Sequence, residues 1–145
     1  MGQTLAMLLA ADPAQVRDIP VGRIEIPRLS AKFGQPFVVT FKAATADQME
    51  EISKKSIVKG KASTIEEIRW TVYEQMVDPD LHSKELREKF GTVRPLDITD
   101  AAKGGLFLGG ELWSIWLEIQ KLSGMNLTGE EDAPEGLDID EVKNS

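Results

Sequence analysis

Side chains that could take part in catalysis are few and scattered along this chain. There is one histidine, His82, and no cysteine, so a Cys–His nucleophile pair and a thiolate metal site are both excluded. Asp97 and Asp100 lie three residues apart, a spacing that could bring two carboxylates together for general acid–base catalysis. Carboxylates at the start of a helix are, however, ordinary capping groups that the helix dipole favours. We therefore interpret His82 as a solvated loop residue and the two aspartates as caps.

Two segments resemble ligand-binding motifs but lack parts of them. Gly60-Lys61-Ala62-Ser63 is similar to the end of a phosphate-binding loop, which needs a glycine at position 55 and a hydroxyl residue directly after the lysine. The chain has Lys55 and Ala62 at those positions. Asp138-Ile139-Asp140-Glu141 could collect Ca²⁺ weakly, but no glycine-bearing calcium loop surrounds it. We predict no catalytic residue, no cofactor and no metal site, and hence a protein that is not an enzyme.

The negative charge of the chain is concentrated after residue 128. The net charge is −7, and residues 129–145 contain seven acidic residues and one lysine. That segment therefore carries −6, and residues 1–128 carry −1. A nearly neutral body gives no reason to expect binding to nucleic acid or to an anionic membrane. We expect residues 1–128 to form one domain and residues 129–145 to be an acidic, disordered tail.

An apolar run near the start of the sequence, Leu5-Ala6-Met7-Leu8-Leu9, is too short to span a membrane and follows no basic residue. It predicts a short helix and not a signal peptide. Together with the lack of cysteine, this pattern indicates a protein of the cytoplasm.

Two extended segments follow this first helix. Residues 23–26 alternate polar and apolar side chains, and residues 37–41 are β-branched or aromatic, patterns that are typical of strands. Phe33-Gly34-Gln35-Pro36 supplies turn residues between them, so we predict a β-hairpin with a long loop. Because two strands alone are only marginally stable in water, helices must cover one face.

The rest of the body is predicted to be helical. Thr45 and Gln48 form a capping box for the first helix after the hairpin, and Ser63 or Thr64 caps the next, which the Asp78-Pro79 step ends. The predicted helices cover residues 45–55, 64–77, 84–90, 95–103 and 111–122, and residues 56–61 are predicted to be a basic loop. The inner face of the helix over residues 64–77 is predicted from helical spacing to consist of Ile65, Ile68, Val72 and Met76. The fold class is therefore α+β: a mostly helical single domain in which an N-terminal β-hairpin packs against a bundle of about four to six helices.

Apolar residues on the last predicted helix cover a wider arc than one core-facing stripe requires. Trp113 and Leu117 lie about 100° to 140° round from Leu112, at about 100° per residue. Either the helix is central in the bundle, or these two side chains bind a partner protein. Trp70, Tyr73 and Val77 form a similar ridge on the middle helix, with the same two interpretations. The core-facing stripe itself consists of Leu112, Ile115, Trp116, Ile119 and Leu122.

Five segments, in order along the chain, carry a family resemblance. They are Leu8-Leu9, Ile26-Pro27-Arg28-Leu29, Lys84-Glu85-Leu86 with Gly91, Leu106-Phe107-Leu108-Gly109-Gly110-Glu111-Leu112, and Glu118-Ile119 with Lys121-Leu122-Ser123-Gly124. In this pattern the chain resembles the XkdN-like tail assembly chaperones of phages and phage-like elements, over most of residues 4–128. It departs from them at Gly109-Gly110, where a Pro-Gly or similar turn is expected, and at Leu112, where isoleucine is expected.

The resemblance implies a non-enzymatic phage tail assembly chaperone of the host bacterial cytoplasm. Such a protein binds the long tape measure protein, keeps it soluble while tail tube subunits polymerise around it, and leaves before the tail is complete. The implied partners are the tape measure protein, the tail tube protein and further copies of the chain. The alternative function is that of a structural subunit, a tail tube or completion protein that stays in the virion.

Overall fold

The computed structural model describes residues 2–126, so the predicted acidic tail over residues 129–145 lies outside the described part. The architecture is α+β, mostly helical with a small antiparallel sheet, which confirms the predicted fold class. The α-helices are α1 (Gln3–Ala10), α2 (Pro13–Val16), α3 (Pro27–Phe33), α4 (Ala46–Lys55), α5 (Thr64–Gln75), α6 (Lys84–Phe90) and α7 (Gly109–Leu122). The strands are β1 (Val21–Glu25), β2 (Val38–Lys42), β3 (Ile57–Val58), β4 (Lys61–Ala62) and β5 (Met76–Asp78).

The predicted hairpin is formed by β1 and β2, which pair antiparallel with Ile24 opposite Val39. The connection between them is not a simple turn, because it contains α3. Pro27 occupies the first turn of α3, where its missing N–H costs no hydrogen bond, and Leu29 is buried. Gly34 ends the helix in the left-handed conformation, with a φ of 70°.

The main sheet has a third strand that the sequence analysis assigned to a helix. α5 ends at Gln75, and β5 then pairs antiparallel with the second edge of β2, with Phe41 opposite Met76. The prediction that the middle helix continues through Val77 was therefore wrong. Pairing with β5 satisfies backbone groups of β2 that would otherwise stand unpaired at a sheet edge.

The segment predicted as a basic loop between α4 and α5 is a short ribbon of β3 and β4. Lys59 and Gly60 both have positive φ, 51° and 80°, as the two central residues of a tight hairpin turn require. Beyond it, the predicted helix over residues 95–103 consists of two 3₁₀ helices, Pro95–Thr99 and Ala101–Lys103.

The core lies between the main sheet, α5 and α7, with the first 3₁₀ helix against α5. The capping box of Thr45 and Gln48 is present as predicted. Of the predicted inner face of the middle helix, Ile68 and Val72 are buried, but Ile65 is 43% exposed. Ile65 was therefore wrongly assigned to the core, because it stands in the first turn of α5, at the edge of the packed region.

A buried carboxylate anchors the start of α5. Glu66 is 6% exposed and accepts hydrogen bonds from Arg69 and Arg94, and Arg69 also donates to Asp100. Asp100 in turn accepts from the backbone N–H of Ala102, which confirms its predicted capping role. Buried charges are tolerated where they are paired in this way.

Gly105 stands where the chain passes close to the backbone of Asp97 and Ile98. A Cβ atom at this position would lie well inside van der Waals contact with the carbonyl oxygens of Asp97 and Ile98. The same passage is fixed by hydrogen bonds from the Gly105 N–H to Asp100 and from the Leu106 N–H to Ile98. Only glycine fits here. At Gly110, in the first turn of α7, an added Cβ would meet nothing within 4 Å.

We therefore predict opposite effects for two glycine substitutions. Gly105→Ala should lower the free energy of unfolding by about 3 kcal/mol, because the new methyl group displaces backbone. Gly110→Ala should raise it by about 0.5 kcal/mol, because alanine favours the helix and restricts the unfolded chain. Urea denaturation of both variants measures these changes in the free energy of unfolding. If Gly105→Ala is as stable as the unsubstituted protein, the close packing at Gly105 is contradicted.

Candidate protein-binding surface

The flank of α7 that faces away from the core carries an exposed aromatic side chain. Leu112, Ile115 and Ile119 are buried as the sequence predicted. Trp113 is 48% exposed, and its ring centroid lies 5.5 Å from that of the half-buried Trp116. Leu117 is half-buried and stands one turn after Trp113, on the same side of the helix. We name Trp113 and Leu117 the α7 flank.

The second predicted ridge is divided between the core and the surface. Tyr73 is 8% exposed and stacks on His82 with ring centroids 4.1 Å apart, and burial raises the pKa of its hydroxyl. Trp70 is half-buried against the core, and the Lys55 ammonium lies 4.7 Å from the centre of its ring. Val77, on β5, is 48% exposed. Tyr73 is therefore a core residue and not part of an exposed ridge, whereas Val77 faces solvent.

An apolar groove lies between α3, α6 and the segment before α7. It was not predicted from the sequence. It has a volume of about 340 Å³. Phe33 and Phe90 form its open walls, 61% and 44% exposed, and the Phe33 ring stacks on Phe37 at 5.5 Å. Both wall residues directly precede a glycine that ends a helix, and this is the one local signal for the groove. The rest of the apolar lining comes from Leu29, Phe37, Pro79, Leu86 and Leu106.

A bidentate ion pair closes one side of the groove. Nε and Nη2 of Arg28 each donate to a carboxylate oxygen of Glu111 at 2.9 Å, and Nη2 also donates to the Leu106 carbonyl oxygen at 2.8 Å. Glu111 accepts a further bond from the Leu108 N–H, which caps α7. Because Arg28 stabilises the charged carboxylate, the pKa of Glu111 lies below its ordinary value of 4.5. The pair joins two of the segments that carry the family resemblance.

The apolar run near the start of the chain forms α1, as predicted, and none of its residues is buried. Leu5, Met7, Leu8 and Leu9 are between 49% and 68% exposed. Because large apolar side chains are usually buried, four such exposed residues in one helix are a marked departure from the ordinary pattern.

Over residues 2–126, no group of three or more His, Asp or Glu side chains is arranged to hold a metal ion. Within the same range, no helix is both long enough and apolar enough to cross a lipid bilayer. The side chain of His82 is half exposed, with Nε2 3.4 Å from a carboxylate oxygen of Glu74.

Comparison with known proteins identifies the family. The family model of the phage XkdN-like tail assembly chaperone proteins matches residues 5–143. The chain belongs to this family. The resemblance inferred from the sequence is thereby confirmed, and the chain is assigned to the phage tail assembly chaperones.

Two further comparisons add the fold but no activity. No curated protein matches the chain. The crystal structure of the protein yqbn is similar to this chaperone with a TM-score of 0.57 and 24% identity, over 81% of this chain and 99% of that one. A likeness at this level of identity shows a shared fold alone.

We predict that the Arg28–Glu111 pair makes stability depend on pH. The folded-state pKa of Glu111 is depressed below 4.5, so its stabilisation is present above that pH and is lost as the pH falls through the folded-state pKa. At neutral pH, Glu111→Gln should lower the free energy of unfolding by about 1–2 kcal/mol, and this difference should shrink in acid.

The matched control is Glu118→Gln on the same helix, where the carboxylate lies 3.5 Å from Lys121 in an exposed pair. Such exposed ion pairs contribute about 0.5 kcal/mol or less to the free energy of unfolding. Urea denaturation between about pH 3 and pH 7 compares the two variants. Indistinguishable profiles would show that the Arg28–Glu111 pair does not hold this side of the groove.

Proposed function

We propose that this chaperone binds the tape measure protein through the α7 flank and keeps it soluble while the tail tube assembles around it. Membership of the tail assembly chaperone family supports this role, which requires binding and release but no bond chemistry. The observation that carries the proposal is the exposed Trp113 on a helix whose opposite side is fixed in the core.

The α7 flank has the properties of a binding surface that is formed before the partner arrives. Ile115 and Ile119 are fully buried, and Glu111 caps the first turn, so the helix is held firmly. A tryptophan on such a helix can bury a large area while losing little conformational freedom, which is why tryptophan is enriched at binding hot spots.

The charges beside the α7 flank are of mixed sign. Lys121 and Glu118 pair with each other at 3.5 Å, and Ser114 is exposed. No strong local field therefore selects a charged partner, and recognition rests on apolar contact with a polar rim. Amphipathic helices of a long client protein present such apolar stripes. Binding of this kind is readily reversible, as a protein that must leave the assembling tail requires.

The same proposal places the protein in the host bacterial cytoplasm and outside the mature virion, with the tail tube protein as a second partner. Val77 and the exposed edge of Trp70 are candidate accessory contacts, because both reach the surface beside α5. Tyr73, being buried, is not.

Co-expression with the tape measure protein tests the proposal. The unsubstituted chaperone should increase the soluble fraction of the tape measure protein and co-purify with it. Trp113→Ala should weaken this binding by about tenfold or more, the usual effect at a hot spot. Its folded state should persist, because the side chain is half exposed.

The matched control is Val93→Ala, which shortens a side chain that is 90% exposed and stands between α6 and the first 3₁₀ helix. It should bind as the unsubstituted protein does. Equal binding by Trp113→Ala and Val93→Ala, in proteins with equal thermal stability, would exclude the α7 flank. No effect of the unsubstituted chaperone on the tape measure protein would exclude the function.

A further inference from the structure

Strand β1 has an edge that no other strand covers. The sheet runs in the order β1–β2–β5, and within residues 2–126 no strand pairs with the second side of β1. A hydrogen bond from the Ala43 N–H to the Pro20 carbonyl oxygen fixes which residues of β1 bond to β2. In an antiparallel ladder of this register, Gly22 and Ile24 direct their backbone groups toward β2. The backbone N–H and C=O groups at the open edge belong to the alternate residues Val21, Arg23 and Glu25.

Beside this edge, an apolar groove of about 310 Å³ lies between the end of β1 and the first turns of α7. Its apolar lining consists of Ile24, Ile26, Pro27, Leu108 and Gly110. Because side chains alternate along a strand, every second side chain of a strand added to β1 would point toward α7 and this groove. The groove therefore suits a strand with aliphatic side chains at alternate positions.

The sequence contains a segment of this kind outside the described residues. Residues 136–142 read Gly-Leu-Asp-Ile-Asp-Glu-Val. Leu137 and Ile139 alternate with Asp138 and Asp140, which is the period of a strand with one apolar and one acidic side. The family model matches the chain through residue 143, so this segment belongs to the matched region.

The charges on β1 favour one direction of pairing. An antiparallel pairing can place Asp138 opposite the exposed Arg23, and opposite charges in such cross-strand pairs are stabilising. The same register places Gly136 opposite Glu25, so no acidic residue opposes that carboxylate. A parallel pairing with Asp138 beside Arg23 would instead place Asp140 beside Glu25, and two like charges there are destabilising.

The antiparallel register also suits the apolar side chains. It places Leu137 opposite Ile24, at the groove, and Ile139 opposite Gly22. At Gly22 the strand has no side chain of its own, and a methyl group of Leu122 lies 3.4 Å from the position that a Cβ would take there. Both aliphatic side chains therefore meet apolar neighbours on the side of α7.

The segment can reach this edge within its own chain. The Ser123 hydroxyl, just after α7, accepts a hydrogen bond from the Ala44 N–H at 2.8 Å. Ala44 stands two residues beyond the β2 partner of Val21, so the chain leaves α7 near the Val21 end of β1. The Glu25 end is about 13 Å further along the strand. Residues 127–135 can span about 30 Å, and so short a tether gives a high effective concentration.

We propose that residues 136–140 pair antiparallel with the open edge of β1 in the same chain and insert Leu137 into the groove between β1 and α7. Residues 129–135 are then a linker, which narrows the expectation of a disordered tail over residues 129–145. The added strand covers the β1 edge and presents acidic side chains beside it. Charged edges of this kind oppose edge-to-edge association between sheets.

An engineered disulfide tests the contact and its direction in the full chain. The protein has no cysteine, so Glu25→Cys with Gly136→Cys introduces a single pair. In the proposed register the two Cα atoms are about 5.5 Å apart, within the range that a disulfide bridges. Under mild oxidation at micromolar protein concentration, this pair should form an intramolecular disulfide, measured by mass spectrometry and non-reducing electrophoresis.

The matched control is Val21→Cys with Gly136→Cys, which keeps the same cysteine in the tail and moves the other to the far end of β1. Its disulfide should form about tenfold more slowly or less, because the two Cα atoms are then about 13 Å or more apart. Equal rates, or faster closure of the control pair, would overturn the proposed pairing. Disulfide-linked dimers as the main product would assign the edge to a second copy and overturn pairing within one chain.

Amide hydrogen exchange tests the same contact without cysteines. In the unsubstituted protein, NMR should show slow exchange of the Arg23 and Glu25 N–H groups. Leu137→Glu with Ile139→Glu should accelerate both by about tenfold or more, because charged side chains cannot enter the groove. The N–H groups of β1 that bond to β2 should be unaffected, which also shows that the variant remains folded.

The control for added charge is Thr128→Glu with Ala133→Glu, which places the same two charges before the pairing segment. It should leave exchange at Arg23 and Glu25 as it is in the unsubstituted protein. Fast exchange of these two groups in the unsubstituted protein, or no change in the variant of Leu137 and Ile139, would overturn the proposal. Slow exchange that appears only after tape measure protein is added would assign the edge to the client and overturn it as well.

Discussion

The ion pair between Arg28 and Glu111 links parts of the chain that are 83 residues apart in sequence. It is the polar interaction on which the geometry of both surfaces depends. Its two parallel N–H···O bonds fix orientation as well as distance, which a lysine in place of Arg28 could not do. The pair sets α3 against the start of α7 and holds the Leu106 carbonyl. The pair thereby positions one side of the groove. Glu111 also accepts a hydrogen bond from the Leu108 N–H, which fixes where α7 begins.

A chaperone of this kind must combine a stable core with apolar surface that stays accessible. Over residues 2–126, some large apolar side chains form the core and others stay at the surface. Val72, Ile115 and Phe107 are fully buried, and the pairing of Glu66 with two arginines anchors α5 beside them. Trp113 and the leucines of α1 are left outside this core. Because each exposed surface is small, a contact through one of them is weak, and the proposed binding to a long client would be undone one contact at a time.

Much of the fold was predictable because it is determined locally. The capping box at Thr45, the alternation in β1 and the apolar stripe of α7 each lie within one short segment, and the structure contains all three. β5 was not predictable, since Met76–Asp78 continues the pattern of α5 and becomes a strand only through pairing with β2. The side-chain amide of Gln75, the last residue of α5, donates to the carbonyl oxygens of Lys42 and Ala43 and so holds the end of the helix against the end of β2.

For the candidate surfaces too, features that lie within one segment were easier to predict than features that combine distant segments. The exposure of Trp113 agrees with its angle on α7 and with one of the two interpretations that the sequence left open. The groove depends on bringing Phe33, Phe90 and Leu106 together from three segments, and its one local signal is the helix-ending glycine that follows each of the two phenylalanines. For Tyr73 the angle on α5 left both interpretations open, and the structure favours the core, because His82 folds back from the following loop and covers its ring.

The amount of this protein in tails at successive stages of assembly tests the central claim most directly. Quantitative mass spectrometry can compare complexes that hold unassembled tape measure protein with purified finished tails from the same cells. We expect many copies in the unfinished complexes and less than about one copy per finished tail, because reversible apolar contacts are replaced as tube subunits cover the client. A fixed number of copies in every finished tail would contradict a chaperone that leaves, and would establish a structural subunit of the virion.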